Sequence, residues 1–287
     1  MSPLDLVQLG ALMNRTSGTS GIRIGLIDGP VALDHPELTS GNIVHLGETQ
    51  RACRANASAC LHGTAVAGIL SARRGSDAPA ICPNCTLLLR PIFGEPDAPE
   101  RDMPSASPRE LAQAIDDCLA ARAHVINISA ALSRPSLSNE PALHDALARA
   151  AQDGVIIVAA SGNHGMLGST ALTRHPWVVP VVAYGLNGRP IAYSNLGHSI
   201  GSRGLGAPGD GVRTLGPGGQ WLGVGGTSAA APFVTGTIAL LFSAFPCARA
   251  VDVKRVLTSR RATPRACVVP PLLNAAAAYH ALQASMS

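Results

Sequence analysis

Short apolar, β-branched runs recur along this chain at residues 22–27, 86–91, 124–129, 155–160 and 178–183, with helix-patterned segments between them. Parallel strands need crossovers long enough to hold a helix, so this alternation predicts a parallel sheet covered by helices on both faces. The helical segments carry their own punctuation. In SPRELAQAIDDCLAARA, Ser107 and Glu110 have the spacing of a capping box, Pro108 suits the first helical position, and Leu111, Ile115 and Leu119 fall on one face. PALHDALARAAQDG reaches Gly154, which predicts a glycine C-cap. With 46% hydrophobic residues in 287, and no repeat or break in composition, the chain reads as one domain with a sizeable core.

The charge pattern narrows the partners. The net charge is +4 and the basic residues are scattered, so no footprint for nucleic acid is built. No stretch reads as a membrane span, and the first twenty residues lack the basic start and apolar core of a secretory signal. Seven cysteines leave at least one thiol unpaired within a monomer, and a reducing, cytoplasmic compartment is the expectation, with secretion as the alternative.

Three segments carry chemistry. IRIGLIDGP ends a buried strand on Asp28, an acid at the carboxyl edge where open α/β sheets collect ligands. LHGTAVAGILSARR sets His62 ahead of an apolar helical pattern; at a helix N-terminus the imidazole would be held neutral, as a base must be. GVGGTSAAAPFVTG places Ser228 at the head of a buried helix, either as an N-cap or as a nucleophile with spare first-turn N–H donors around it. Pro232 is expected close enough to the helix start to be tolerated. A phosphate loop is the rival reading of the glycines; it lacks the Lys before Ser or Thr, and GVGG follows no convincing strand.

The order Asp, His, Ser is that of subtilisin. From about residue 20 to 260 the chain resembles the subtilisin-like (S8) serine peptidases, above all in HGTAVAGI and GTSAAAPFVTG, and ASGNHG is similar to the segment holding that family's oxyanion asparagine, here Asn163. IDGPVALDHPEL and LLLRPIF look similar to the cyanobactin-maturation proteases of that family. The resemblance implies a three-layer α/β fold with a mostly parallel central sheet flanked by helices, spanning residues 1–287 as a single peptidase domain. It implies an endopeptidase: Asp28 orients His62, His62 takes the Ser228 proton, and Asn163 with the Ser228 N–H stabilises the oxyanion. Ser129, Ala130 and Ala131 would pair with an extended substrate backbone. The expected substrate is a peptide or protein, in the narrower reading a ribosomal precursor peptide, with no nucleic acid, no membrane and no cofactor; oligomeric state is left open. A general degradative subtilisin and a non-catalytic peptide-binding relative are the alternatives. One departure is plain: the family's Asp-Ser/Thr-Gly stands here as Asp28-Gly29-Pro30.

Other candidates are weaker. Cys82 and Cys85 have zinc-knuckle spacing, but Cys53 and Cys60 make a poor second pair, so surface disulfides or free thiols are expected and no metal. His35 and Glu37 are read as part of a turn, residues 94–108 as a surface loop, and no acidic cluster suggests calcium.

Overall fold

The computed structural model describes residues 1–38, 42–47, 53, 57–93, 106–129, 140–258 and 267–286. The first half holds α1 (Pro3–Leu6), α2 (Gly10–Met13), β1 (Arg23–Asp28), β2 (Ile43–His45), α3 (Ser58–Ser71), β3 (Thr86–Pro91), α4 (Pro108–Ala120), β4 (Val125–Ile128) and α5 (Pro141–Gln152). The second holds β5 (Ile156–Ala160), α6 (Ala171–Arg174), β6 (Val178–Tyr184), α7 (His198–Arg203), β7 (Leu205–Pro208), β8 (Val212–Gly216), β9 (Gln220–Val224), α8 (Thr227–Ala244), α9 (Ala250–Thr258) and α10 (Ala275–Met286). Among these residues a seven-stranded sheet runs in the order β2-β3-β1-β4-β5-β6-β7, every pair parallel, and β8 and β9 form a separate antiparallel hairpin.

Side chains of a strand alternate between faces, and both faces here are covered. Ile24 and Leu26 of β1, Leu87 and Leu89 of β3, and Val158 of β5 pack with α3 and α8. Ile27, Leu88, Ile126, Ile128 and Ile157 face the other way and pack with α4 and α5. This is the expected three-layer α/β fold.

The capping box of α4 forms as expected, Ser107 Oγ accepting from the Glu110 N–H and the Glu110 carboxylate from the Ser107 N–H. α5 ends one residue before Asp153, and Gly154 follows in the left-handed region at φ 70°. Helix α8 corrects one expectation: its 18 residues are long and apolar enough to cross a membrane, but 83% of that window is buried, and it is the core helix under the sheet. β9 corrects another, because a strand does run into Gly225 and Gly226; it belongs to the hairpin rather than to the parallel sheet. Of the expected loop, residues 94–105 lie outside the described residues.

Candidate active site

The parallel sheet brings its carboxyl ends to one edge, and the candidate residues collect there. Asp28 is the last residue of β1, Ser129 follows β4, and Asn163 lies three residues past β5. Helix α8 starts at the same edge, with Gly226 as its N-cap and Ser228 as its second residue. Ser228 therefore is not the cap, and its backbone N–H has no acceptor within the helix.

Asp28 is fully buried, and its Oδ1 accepts from the Gly29 N–H at 2.6 Å and from His62 Nδ1–H at 2.6 Å. That second bond fixes the imidazole tautomer and leaves Nε2 free to accept a proton. His62 and Ser228 line one cavity of about 300 Å³, together with Leu61, Val66, Ile69 and Val224, so imidazole and hydroxyl share a mostly apolar pocket.

Two details of His62 differ from the sequence reading. α3 begins at Ser58, so His62 is its fifth residue, beyond the first turn where the helix dipole acts most strongly. Its proton affinity is also raised rather than lowered: burial pushes the pKa down, but the charge of Asp28 and its hydrogen bond together carry it above the usual 6.5.

Gly29 explains the departure from the family's sequence. A Cβ there would lie 2.0 Å from the Ala59 carbonyl oxygen, while one at Gly63 would lie 2.4 Å from the Gly29 oxygen. The backbone just past β1 and the backbone of α3 thus touch next to the Asp28–His62 pair. Gly29→Ser, which restores the family's residue, is expected to destabilise the fold by about 1–3 kcal/mol through overpacking. Urea unfolding measures it; unchanged stability would mean the two backbones separate freely.

Asn163 is held by Thr227. The Thr227 N–H donates to Asn163 Oδ1 at 2.9 Å and the Thr227 hydroxyl to the same oxygen at 3.0 Å, so the amide nitrogen is left for another acceptor. The Thr227 hydroxyl oxygen accepts in turn from the Gly162 N–H at 3.1 Å. Gly226 makes room for this arrangement, since its φ is 88° and a Cβ would stand 2.9 Å from Asn163 Nδ2.

Of the residues expected to bind substrate, Ser129 is buried with its hydroxyl turned toward α8, and Ala130 and Ala131 lie outside the described residues. The cysteines were expected as surface disulfides or free thiols. Cys82 and Cys85 are free thiols, buried rather than exposed at the turn leading into β3, and Cys53 and Cys60 form a disulfide two residues ahead of His62 with Cys60 buried. His35 accepts from the Glu37 N–H and donates to the Gln220 carbonyl, and Glu37 is paired with Arg73 at 2.8 and 2.9 Å. Among the described residues no three His, Cys, Asp or Glu side chains gather where they could hold a metal.

The profile of the subtilase family, peptidase family S8, matches residues 19–270. The chain belongs to the subtilase family. Curated relatives include the thermostable alkaline protease of Halalkalibacterium halodurans, 29% identical over 81% of this chain and 60% of the relative, and Subtilisin Savinase of Lederbergia lenta, 28% identical over 83% and 82%. The alkaline protease of Alkalihalobacillus alcalophilus is 29% identical over 83% of this subtilase and 58% of its own length. The chain thus spans less than two thirds of the two alkaline proteases. Among solved structures, a mutant of the protease domain of PatA superposes with TM-score 0.84 at 30% identity, covering 93% of this chain and 97% of the other. The prenylagaramide maturation protease PagA superposes with TM-score 0.83 at 28% identity, covering 96% and 98%.

The sequence reading missed Thr227, and it left the pairing of Cys53 and Cys60 open. Thr227 had a signal, standing inside GTSAAAP next to the candidate nucleophile; the disulfide depends on a contact that no local pattern records.

Proposed function

We propose that this subtilase is a serine endopeptidase that cleaves a ribosomal precursor peptide through an acyl-enzyme. The observation that carries the peptidase reading is the short bond from His62 to buried Asp28 beside a cavity that His62 shares with Ser228. In this mechanism His62 Nε2 takes the Ser228 proton as Oγ bonds to the scissile carbonyl carbon. The C–N bond then breaks as His62 returns the proton to the leaving amine, and water, deprotonated by the same imidazole, hydrolyses the ester. The Asn163 amide and the Ser228 N–H donate to the oxyanion, where preorganised donors act most strongly. The narrower substrate rests on the likeness to PatA and PagA, described as maturation proteases of patellamide and prenylagaramide.

The test is mass spectrometry of precursor peptides before and after incubation with the protein, beside Ser228→Ala. Cleavage at one or a few bonds supports the reading, cleavage throughout unrelated unfolded proteins favours a degradative role, and no cleavage overturns the peptidase assignment.

The base must be neutral to accept a proton, so activity is lost as pH falls through the His62 pKa. Because Asp28 raises that value, the acid limb of kcat/KM is expected to have its midpoint above 6.5. A midpoint well below that would mean a different base.

A further inference from the structure

Helix α8 contains a proline at its sixth residue, and the missing N–H has a specific address. Within an α-helix the amide of residue 232 would donate to the carbonyl of residue 228, four positions earlier. Pro232 cannot, so the carbonyl of Ser228 itself is left without its helical donor. The hydroxyl of Ser129 fills the vacancy from outside the helix, donating to the Ser228 oxygen at 3.1 Å. Ser129 Oγ in turn accepts from Asn127 Nδ2 at 2.7 Å, and Asn127 Oδ1 accepts from the Thr235 hydroxyl at 2.8 Å. Asn127, Ser129 and Thr235 are all buried.

The chain of donors has one direction. A hydroxyl has a single hydrogen; that of Ser129 goes to Ser228, and the Asn127 amide supplies the hydrogen Ser129 accepts. Asn127 is fixed by Thr235 two turns farther along α8, so the end of β4 grips this helix at two points, one of them the residue that carries the candidate nucleophile. A carbonyl bonded only to its own helix would move with that helix. This one is tied to the sheet, on which Asp28 also stands.

We propose that Ser129, backed by Asn127, is a positioning residue for Ser228, setting the hydroxyl and the N–H of that residue relative to His62 without touching substrate through its side chain. The inference rests on the serine endopeptidase reading. Misplacing a nucleophile by about 1 Å costs on the order of 100-fold in rate.

The experiment is a double-mutant cycle with Ser129→Ala and Pro232→Ala in the full chain. Ser129→Ala is expected to lower kcat by about 10- to 100-fold with KM changed less than about twofold, since only the helix anchor is lost. Pro232→Ala in that background supplies an amide N–H to the same Ser228 carbonyl, and is expected to recover kcat by about fivefold or more. A structural role alone would give no such rescue. Ser129→Ala with unaltered kcat, or a double variant no better than Ser129→Ala, overturns the proposal. Amide hydrogen exchange over the first two turns of α8 is read in parallel: faster in Ser129→Ala, slowed again in the double variant. If the unsubstituted protein cleaves no peptide, the peptidase reading fails by itself, and unchanged exchange in Ser129→Ala then overturns the anchor as well.

Discussion

Ser228→Ala is expected to lower kcat by about six orders of magnitude, the loss that removal of the nucleophile causes in subtilisin itself. The position makes this a clean test. Ser228 is the second residue of α8 and not its cap, so its hydroxyl holds no helix-terminal N–H, and alanine is a better helix former. Stability is therefore expected to change by less than about 0.5 kcal/mol, as for substitutions away from caps and core. Steady-state kinetics on a cleaved peptide and urea unfolding of the same preparation separate the two effects. Activity within tenfold of the unsubstituted protein would remove Ser228 from the chemistry.

Asp28→Asn is expected to lower kcat by about four orders of magnitude, by analogy with the same change in other Ser-His-Asp enzymes. The Oδ1 atom of Asp28 receives both the Gly29 N–H and the His62 Nδ1–H, and its Oδ2 is buried with no hydrogen-bond partner among the described residues. An asparagine that turns its amide nitrogen toward His62 selects the wrong tautomer; one that does not still lacks the negative charge that stabilises the imidazolium. The pH profile is the discriminating readout. Without the carboxylate, burial acts on His62 unopposed, so the residual activity is expected to have its acid limb at lower pH than in the unsubstituted protein. An unmoved limb would mean that Asp28 does not govern the base.

How much of this was legible in the chain depends on how far apart the interacting residues stand. Strands that are largely apolar and buried on both faces, β1 and β3 to β6, were found within a residue or two, because a continuous apolar run between turn signals is itself the signal. β2 was not, being three half-exposed residues at the sheet edge, nor was β7, whose LGAP has little strand preference and is extended by its pairing with β6. The hairpin of β8 and β9 turns through Gly218 and Gly219 at φ 68° and 74°, and was hidden among seven glycines in the 16 residues 211–226.

The candidate site was legible for a related reason. Asp28, His62, Asn163 and Ser228 each stand in a short string that also shapes the local backbone, so the chemistry and the turn are written together. What joins the strings was not. The Gly29 contact with Ala59, the Asn163 contact with Thr227, and the anchor from Ser129 to the Ser228 carbonyl link residues 30 to 99 positions apart, and each depends on the register in which helix and sheet pack. The Cys53–Cys60 pairing was hidden for want of geometry, since spacing alone cannot assign partners among seven cysteines.

The central claim is that a carboxylate-braced imidazole activates one particular hydroxyl, and active-site labelling tests it most directly. Treatment with a fluorophosphonate, followed by peptide mapping, is predicted to place a single adduct on Ser228, with labelling that falls as pH drops through the His62 titration and that is abolished in Ser228→Ala. An unlabelled Ser228 in a preparation that still cleaves peptide, or an adduct on a different residue accompanying the loss of activity, would contradict the account.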